Sequence, residues 1–598
     1  MKNVTLSFIG MLMSGIVSAQ CPPPSAFSTL DINNISATIT NSGDLWWDMM
    51  NAGYEAPKGS GINAIFSGSI WIGGLDTGNS IYTAGQLYRQ SGVDFFPGPI
   101  FSDGSTNATV CNEFDRLWKL NASDISDFIS GQSPVEAIIS WPAKGNSYFI
   151  NAITNDLAPF YDSNGDGLYN HEDGDYPLIK GDQSIFRVFN DIGNLHTETG
   201  GGQFGLEVHA MAYSYAQPGH VNNSTYYDYT LINRSDREYH DTYIGLFPDI
   251  DLGNSSDDYV GFDVDRKMAY GYNGDPFDDG VNGYGTDLAM IGMRMTKAPY
   301  LDNGAESEMH NSTYLTGSFF GDPYGTPTIS FEYYNFLKGL DKLGSPRLNS
   351  LGDTVLHTYP DAPGQIGESM CNKNVIPGEF KTLMSFGPLT LSPDDRNSFS
   401  YSVVWARDSS LNGSNCPDIT VFQNAADSVD QFYNDNKCST FDVTIAGDII
   451  NSEIGQNNGS IHVSLNGSNG NYTYAWSDGQ LGDSIGGLAS GSYTVTVSDP
   501  FGCSAEKSFN ISEVVGVTDF KVSKLTIYPN PSSDGLYYLD KAMEENVTVD
   551  VFDALGQHIK SLRTSQQIDM KQFAPGYYII KVAMNSGETS LHKVLRSK

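Results

Sequence analysis

The run NVTVDVFDALGQHI, residues 546–559, decides how the last part of this chain is read. Val547, Val549 and Val551 alternate with Thr548 and Asp550, the period-two pattern of a strand with one face in a core. Asp553 and Gly556 then interrupt the run with turn chemistry. A second run, GYYIIKVAM at 576–584, repeats the alternation through Tyr578, Ile580, Val582 and Met584. Strands of this kind separated by turns predict a small β-sandwich that opens at LTIYPNPSSDGLYYL, 525–539. There Pro529 and Pro531 stiffen the lead-in and Gly535 permits a tight turn. Residues 524–598 hold nine basic and eight acidic side chains, whereas the whole 598-residue chain has a net charge of −37. So sharp a break in composition marks 524–598 as a unit that folds by itself.

Outward from that unit, the chain is too long for one core, and several domains are expected. Hydrophobic residues make up 39% of it, which excludes a disordered chain. A pI of about 4.4 repels phosphate backbones, so nucleic acid is excluded as a partner, and the acidic surface suits divalent cations. Residues 1–19 read as a signal peptide: Lys2, an apolar stretch Leu6–Val17, and Val17-Ser18-Ala19 as the cleavage site. Cys21 raises a lipoprotein reading, but Gln20 is a poor residue to precede a lipidated cysteine.

Residues 20–440 form the bulk, with strand-like runs such as NAIFSGSIWIGG, STYYDYTLINRS and SFSYSVVWAR separated by turn clusters. One helix is expected near 418–434, where Ile419, Phe422, Ala426, Val429 and Phe432 recur at helical spacing and Asp418 serves as the N-cap. Residues 441–513 form a second β module. Ile461, Val463 and Leu465 alternate in it, as do Tyr493, Val495 and Val497, and Gly/Asn/Ser/Asp turns lie between. Residues 514–523 read as a linker. The fold class is therefore mainly β and multidomain: a large β-rich N-terminal domain followed by two small immunoglobulin-like β-sandwich modules. The six cysteines of an exported chain can pair, and the first expectation is a Cys416–Cys438 bridge across the predicted helix.

The terminal unit resembles the type A C-terminal sorting domain of type IX secretion cargo. The resemblance rests on YPNPSSDGLYYL, VFDALGQHI, FAPGYYIIKV and the final LHKVLRSK. It implies passage through the outer-membrane translocon, then removal by a sortase-like peptidase, with the cargo released or anchored to surface lipopolysaccharide. NYTYAWSDGQ followed by GLASGSYTVTVSDPFGCSA resembles the SprB repeat of gliding-motility adhesins, with Trp476 in the core and Tyr472, Tyr474 and Tyr493 near it. A single copy implies a spacer or stalk. The first domain resembles other cargo of the same route through SIWIGGLDTGNSIYTAGQLYRQSGVDFFPGPI and DTYIGLFPDIDLGNSSDDYVGFDVD among other runs, which adds fold coherence and no chemistry.

Chemistry concentrates in DSNGDGLYNHEDGDYP, 162–177. Asp162, Asn164 and Asp166 fall at loop positions 1, 3 and 5, Gly167 at the sharp turn, the Leu168 carbonyl at 7, Asn170 at 9 and Asp173 at 12. Alternating oxygen donors in a tight loop wrap a hard cation, and calcium is the expected, structural cofactor. Pro159 and Pro177 exclude flanking EF-hand helices. A second acidic stretch offers Asp249, Asp251, Asn254, Asp257, Asp258 and Asp263 without a loop template. Gly482, Ser484 and Gly486 have nucleophile-elbow spacing but lack the strand–turn–helix context, so they read as a turn. Glu207 and His209 share a strand face with zinc-compatible chemistry, near His196 and Glu198, yet a polar strand face accounts for them as well. Trp46, Trp47, Trp71 and Trp118 could stack on sugar, although core packing is the commoner fate of tryptophan. No catalytic residue is assigned. The leading expectation is a non-enzymatic, calcium-stabilised secreted or cell-surface protein with an adhesive or ligand-binding role, its ligand a glycan or a protein. The alternative is a secreted hydrolase of polysaccharide or protein, with its site in the first domain.

Overall fold

Ser224–Asn233, STYYDYTLIN, is buried along its whole length, which a one-sided strand cannot be. Its odd positions Tyr227, Tyr229 and Leu231 enter one core and Tyr226 a second core on the opposite face. The same holds for Gln183–Asn190 and Leu206–Ser214. These strands lie in a sheet covered on both sides, which dissolves the apolar/polar alternation expected of half-exposed strands. The computed structural model describes residues 20–598 except 90–91, 151–152, 318–320, 408–415, 471, 515–524, 541–546 and 585–587. The expected signal peptide, 1–19, and all of the expected linker but Val514 lie outside the described residues.

The larger of two compact units takes in residues up to Ile450 together with Ser460–Gly486 and Gly491–Asn510. Two antiparallel sheets dominate it. A nine-stranded sheet runs in the order Asp258–Asp263, Met268–Asn273, Ala289–Lys297, Arg396–Arg407, Ser224–Asn233, Leu206–Ser214, Gln183–Asn190, Phe96–Pro97, with Trp118–Asn121 also on Gln183–Asn190. A ten-stranded sheet is built around Met309–Thr316, Phe380–Leu391, Tyr239–Asp249 and Ser67–Asp76. One continuous core joins them: Ile72, Leu246 and Phe386 from the ten-stranded sheet meet Val208, Tyr229 and Val403 from the other.

Helices cover the two outer faces. Ser330–Leu337 lays Tyr333, Phe336 and Leu337 on Trp71, Phe247 and Leu383. Gly73 and Gly245 make that approach possible, since a Cβ at either would come within 2.7 or 2.6 Å of Leu337. Thr420–Asn436 lays Phe422, Ala426, Val429 and Tyr433 on the nine-stranded sheet. The expected helix is thus present, starting after Ile419, with the Asp418 carboxylate accepting the Thr420 N–H at 3.0 Å. Arg294 and Arg266 hold its polar side through Asp427, at 2.6 and 2.9 Å.

The disulfides are Cys21–Cys111, Cys371–Cys416 and Cys438–Cys503, and no described cysteine is free. The expected Cys416–Cys438 bridge is overturned. At a rise of about 1.5 Å per residue, the 17-residue helix Thr420–Asn436 holds its ends roughly 25 Å apart, whereas a disulfide tolerates no more than about 7 Å between Cα atoms. Cys438 instead reaches Cys503 in the following β module, at a Cα separation of 5.5 Å. In that module Gly459–Asn469 pairs with Val443–Ile450 and also with Phe160–Asp162 of the preceding region. Trp476 is core, as expected, and donates its indole N–H to the Gly482 carbonyl at 2.9 Å.

The smaller unit comprises Asn451–Gly459, Gly487–Ser490 and Ile511–Lys598. Its C-terminal part is the expected sandwich. A four-stranded sheet, His558–Thr564, Val547–Phe552, Gly576–Ala583, Thr589–Arg596, faces a three-stranded one, Ile527–Tyr528, Leu536–Leu539, Gln567–Asp569. Val547, Val549, Val551, Tyr578, Ile580 and Val582 fill the core between them with Tyr537, Leu539 and Ile568. Asn530 of the YPNP lead-in docks on the last strand, accepting the Leu595 N–H and donating to the Lys593 carbonyl, each at 2.8 Å.

A bridge spanning 65 residues removes loop entropy from the unfolded chain. Replacing Cys438 and Cys503 by serine is expected to cost about 4 kcal/mol, read as a lowered urea midpoint with a steeper slope, since the uncrosslinked chain exposes more surface when unfolded, under non-reducing conditions.

Candidate functional site

The acidic loop hangs from two short paired strands, Phe160–Asp162 and Tyr176–Pro177, whose Tyr161 and Tyr176 rings stack at 4.8 Å. No α-helix flanks it; the only regular turn inside is the 3-10 segment His171–Asp173. Asp162 is buried, and its two carboxylate oxygens accept the N–H groups of Gly165 and Gly167, both at 2.7 Å. Gly167 has φ +77°, as the sharp-turn position requires. Asn164 Oδ1 accepts the Asp166 N–H and Asp166 Oδ1 the Leu168 N–H, so each alternating donor orders the backbone two residues ahead. The structure therefore gathers Asp162, Asn164 and Asp166 into one turn.

Asp173 is exposed and accepts from Asn170 Nδ2 at 2.8 Å. The residue that ties the halves of the loop together is Asp175, which accepts the Ser163 N–H at 2.8 Å and the Asn170 N–H at 2.9 Å. It is fully buried, and burial together with the Asp162 and Asp166 charges pushes its carboxyl above the ordinary range. Nothing in the spacing singled out Asp175, since its task is to bind backbone, which has no sequence signature. The first turn is an all-oxygen set, the donor chemistry that a hard cation takes.

The second acidic stretch does not close into one site. Asp263 pairs with Arg266 at 3.0 Å and accepts from Gln423. Asp257 gathers with Asp275 and Asp279, a combination invisible in the sequence because the partners come from the loop after Met268–Asn273. Asp249 and Asp251 line a cavity of about 330 Å³ with Phe66, Tyr88, Glu379 and Lys381. Tyr88 donates to Asp249 at 2.5 Å, and Lys381 lies 3.7 Å from it. Burial, and then the Asp249 charge, push the Asp251 carboxyl well above the ordinary carboxylate range. Two carboxyls, a tyrosine and a lysine around one hollow can exchange protons with a ligand.

The other expectations resolve simply. Trp46, Trp47, Trp71 and Trp118 are all buried in the core, the commoner fate of tryptophan. Ser484 Oγ meets His462 Nδ1 at 2.7 Å on the exposed face of two strands, and no described carboxylate pairs with His462. Glu207 is fully buried between His209 at 2.9 Å and Arg234 at 2.8 Å, which consumes it in an ion pair. His196 places both ring nitrogens 2.7 Å from carbonyl oxygens, of Thr83 and Asp191. Both must donate, so the ring is an imidazolium with no lone pair for a metal. Although burial opposes the charge, Asp191 and Asp94 outweigh it and raise this histidine to about 9.

An open groove of about 850 Å³ runs within the larger unit, lined by Tyr300, Tyr472 and Tyr474, by Arg396 and His462, and by the turn Asp162–Gly167. No described helix is long and apolar enough to cross a membrane.

Three disulfides, acidic loops and a terminal sandwich define a multi-module β protein built for an oxidising exterior. Family comparison makes this specific: the Secretion system C-terminal sorting domain matches residues 526–596, and the SprB repeat matches residues 454–481. The chain is a cargo protein of the type IX secretion system, secreted or displayed on the cell surface, and its tail engages the type IX machinery. No curated protein matches the chain. Among solved structures, a polysaccharide lyase shares 9% identity over 52% of this chain and 34% of its own, with a TM-score of 0.16. This chain thus spans about a third of that lyase. Murine CEACAM1b shares 13% identity over 26% of this chain and 99% of its own, with a TM-score of 0.12. Latent PorU from Porphyromonas gingivalis shares 12% over 57% and 32%, with a TM-score of 0.11. These scores are too low to carry an argument.

His196 sets a pH dependence. Its folded pKa, about 9, lies above the ordinary 6.5, so its contribution is complete below pH 6.5 and is lost as pH rises toward 9. His196→Gln is expected to cost about 3 kcal/mol at pH 6 and little above pH 9, measured by urea unfolding at both.

Proposed function

We propose that this chain is a calcium-stabilised surface or released protein with an adhesive or ligand-binding role, taking a glycan or protein ligand in a groove that its large N-terminal domain shares with the following β module. The observation that carries the reading is the groove of about 850 Å³ with its tyrosines, mixed charges and the Asp162–Gly167 turn on its wall. Concave sites with aromatic walls and a few placed polar groups are where ligands bind. Calcium held by Asp162, Asn164, Asp166 and the Leu168 carbonyl, with Asn170 and Asp173 in the second half of the loop, would fix that wall. The ion relieves the repulsion among Asp162, Asp166 and Asp175. The proposed organisation is a signal peptide (1–19), a large β-rich domain with the calcium-type loop (20–440), a SprB-like β-sandwich repeat (441–513), a linker (514–523) and the sorting domain (524–598). A sortase-like peptidase and surface lipopolysaccharide are the proposed partners after export.

A second reading, a secreted hydrolase of polysaccharide or protein, rests on the Asp249–Asp251–Tyr88–Lys381 cavity. There Asp251 is the proton donor and Tyr88 positions Asp249. Under this reading a panel of polysaccharides and peptides contains a substrate that the full chain cleaves and Asp251→Asn does not. Under the leading reading no cleavage occurs and ligand binding survives Asp251→Asn.

Two outcomes test the rest. Removing residues 526–598 should leave the chain in the periplasm, whereas the parent chain reaches the surface or medium with Gln20 as its first residue, read by mass spectrometry of both fractions. Chelation should lower the melting temperature by several degrees, and Asp166→Asn should weaken that response.

A further inference from the structure

Asp257 closes the 3-10 turn Ser255–Asp257 and leads into Asp258–Asp263, the edge strand of the nine-stranded sheet. Asp275 and Asp279 sit in the segment between Met268–Asn273 and Ala289–Lys297. Each of the three offers a carboxylate oxygen, and all three oxygens lie within 4.8 Å of one another. Asp278, between them in sequence, is used otherwise: it accepts the Asn254 N–H at 3.1 Å and the Tyr284 N–H at 2.7 Å. That bonding fixes the loop so that its neighbours converge on Asp257.

Like charges at this spacing need a counter-charge, and none of the three pairs with a described lysine, arginine or histidine. The same site carries an independent sign of a missing partner. Asp257 is 9% exposed; its Oδ2 accepts from Asn254 Nδ2 and the Asp279 N–H, both at 3.2 Å, while its Oδ1 is buried and accepts nothing. Adjacent Asp258, fully buried, also has an unpartnered Oδ1, and both side-chain polar atoms of Asn273, its cross-strand partner, are buried without one. Buried polar atoms without partners are rare, and the bare Asp257 Oδ1 is an acceptor that a cation can take up.

We propose that Asp257, Asp275 and Asp279 bind a calcium ion that staples the Ser255–Asp257 turn to the 274–285 loop at the edge of the nine-stranded sheet. The donors are all oxygen, which selects a hard cation and disfavours zinc. A calcium ion ringed by oxygens at about 2.4 Å spans roughly 4.8 Å, and the graded exposure from Asp257 to Asp279 leaves room for the waters that complete six to eight ligands. This ion is separate from the one proposed for the 162–173 loop.

The test is equilibrium dialysis of the chelator-stripped full chain against calcium chloride, with melting curves of the calcium-free and calcium-loaded forms. Relative to the parent, Asp275→Asn/Asp279→Asn should lose one equivalent of calcium, while Asp166→Asn keeps that equivalent. Single Asp279→Asn, at an exposed side chain, should weaken this site at least tenfold without lowering the calcium-free melting temperature, because it removes repulsion. An equal calcium stoichiometry in the parent and the double variant overturns the proposal. So does a calcium-free melting temperature that falls in Asp279→Asn while calcium uptake is unchanged, since that is a structural role alone. Loss of calcium from Asp166→Asn only would support the 162–173 loop and overturn this second site.

Discussion

The constraint on which the large unit depends is that both of its stacked sheets are covered on both faces. Apolar side chains from the two inner faces form one core, and helices close the outer faces. Polar groups caught inside must then be satisfied internally. Arg187 donates to the Tyr229 hydroxyl at 2.6 Å, Lys180 meets Asp228 at 2.7 Å, and Glu207 sits between His209 and Arg234. The regular part of the domain is therefore largely occupied by its own packing, and the acidic side chains gather in and beside the loops at the strand ends. The Asp162–Asp175 loop, the Asp257–Asp279 cluster and the Asp249–Asp251 cavity all lie there.

The terminal sandwich obeys the opposite rule. Its sheets have one buried face each, so Val547, Val549 and Val551 alternate cleanly with half-buried Thr548, Asp550 and Phe552. A nearly neutral module that completes its own core is a rigid, autonomous surface for a translocon to read. The passenger carries almost all the negative charge.

Legibility in the sequence follows from the same physics. The terminal strands were readable because one face is wet, and the helix carrying Phe422, Ala426 and Val429 because its stripe is one-sided. Strand Ser224–Asn233 was recognisable as a strand, but not its two-sided burial, since Asp228 and Thr230 look solvent-facing until Lys180 and Ser398 are seen beside them. The disulfides misled because sequence proximity of Cys416 and Cys438 says nothing once a helix separates them. Asp162, Asn164 and Asp166 were legible as a local loop. Asp175 was not, because it binds backbone, and Asp275 and Asp279 were not, because the fold brings them to Asp257.

The central claim is that residues 524–598 suffice as an address that the type IX machinery reads as a folded surface. The direct measurement is to fuse that segment to an unrelated periplasmic reporter in a type IX-competent cell and assay reporter outside the outer membrane. The account predicts surface or medium reporter with the native segment, and periplasmic retention when Val549→Asp breaks its core. Reporter confined to the periplasm with the native segment, or exported equally with the broken one, would contradict it.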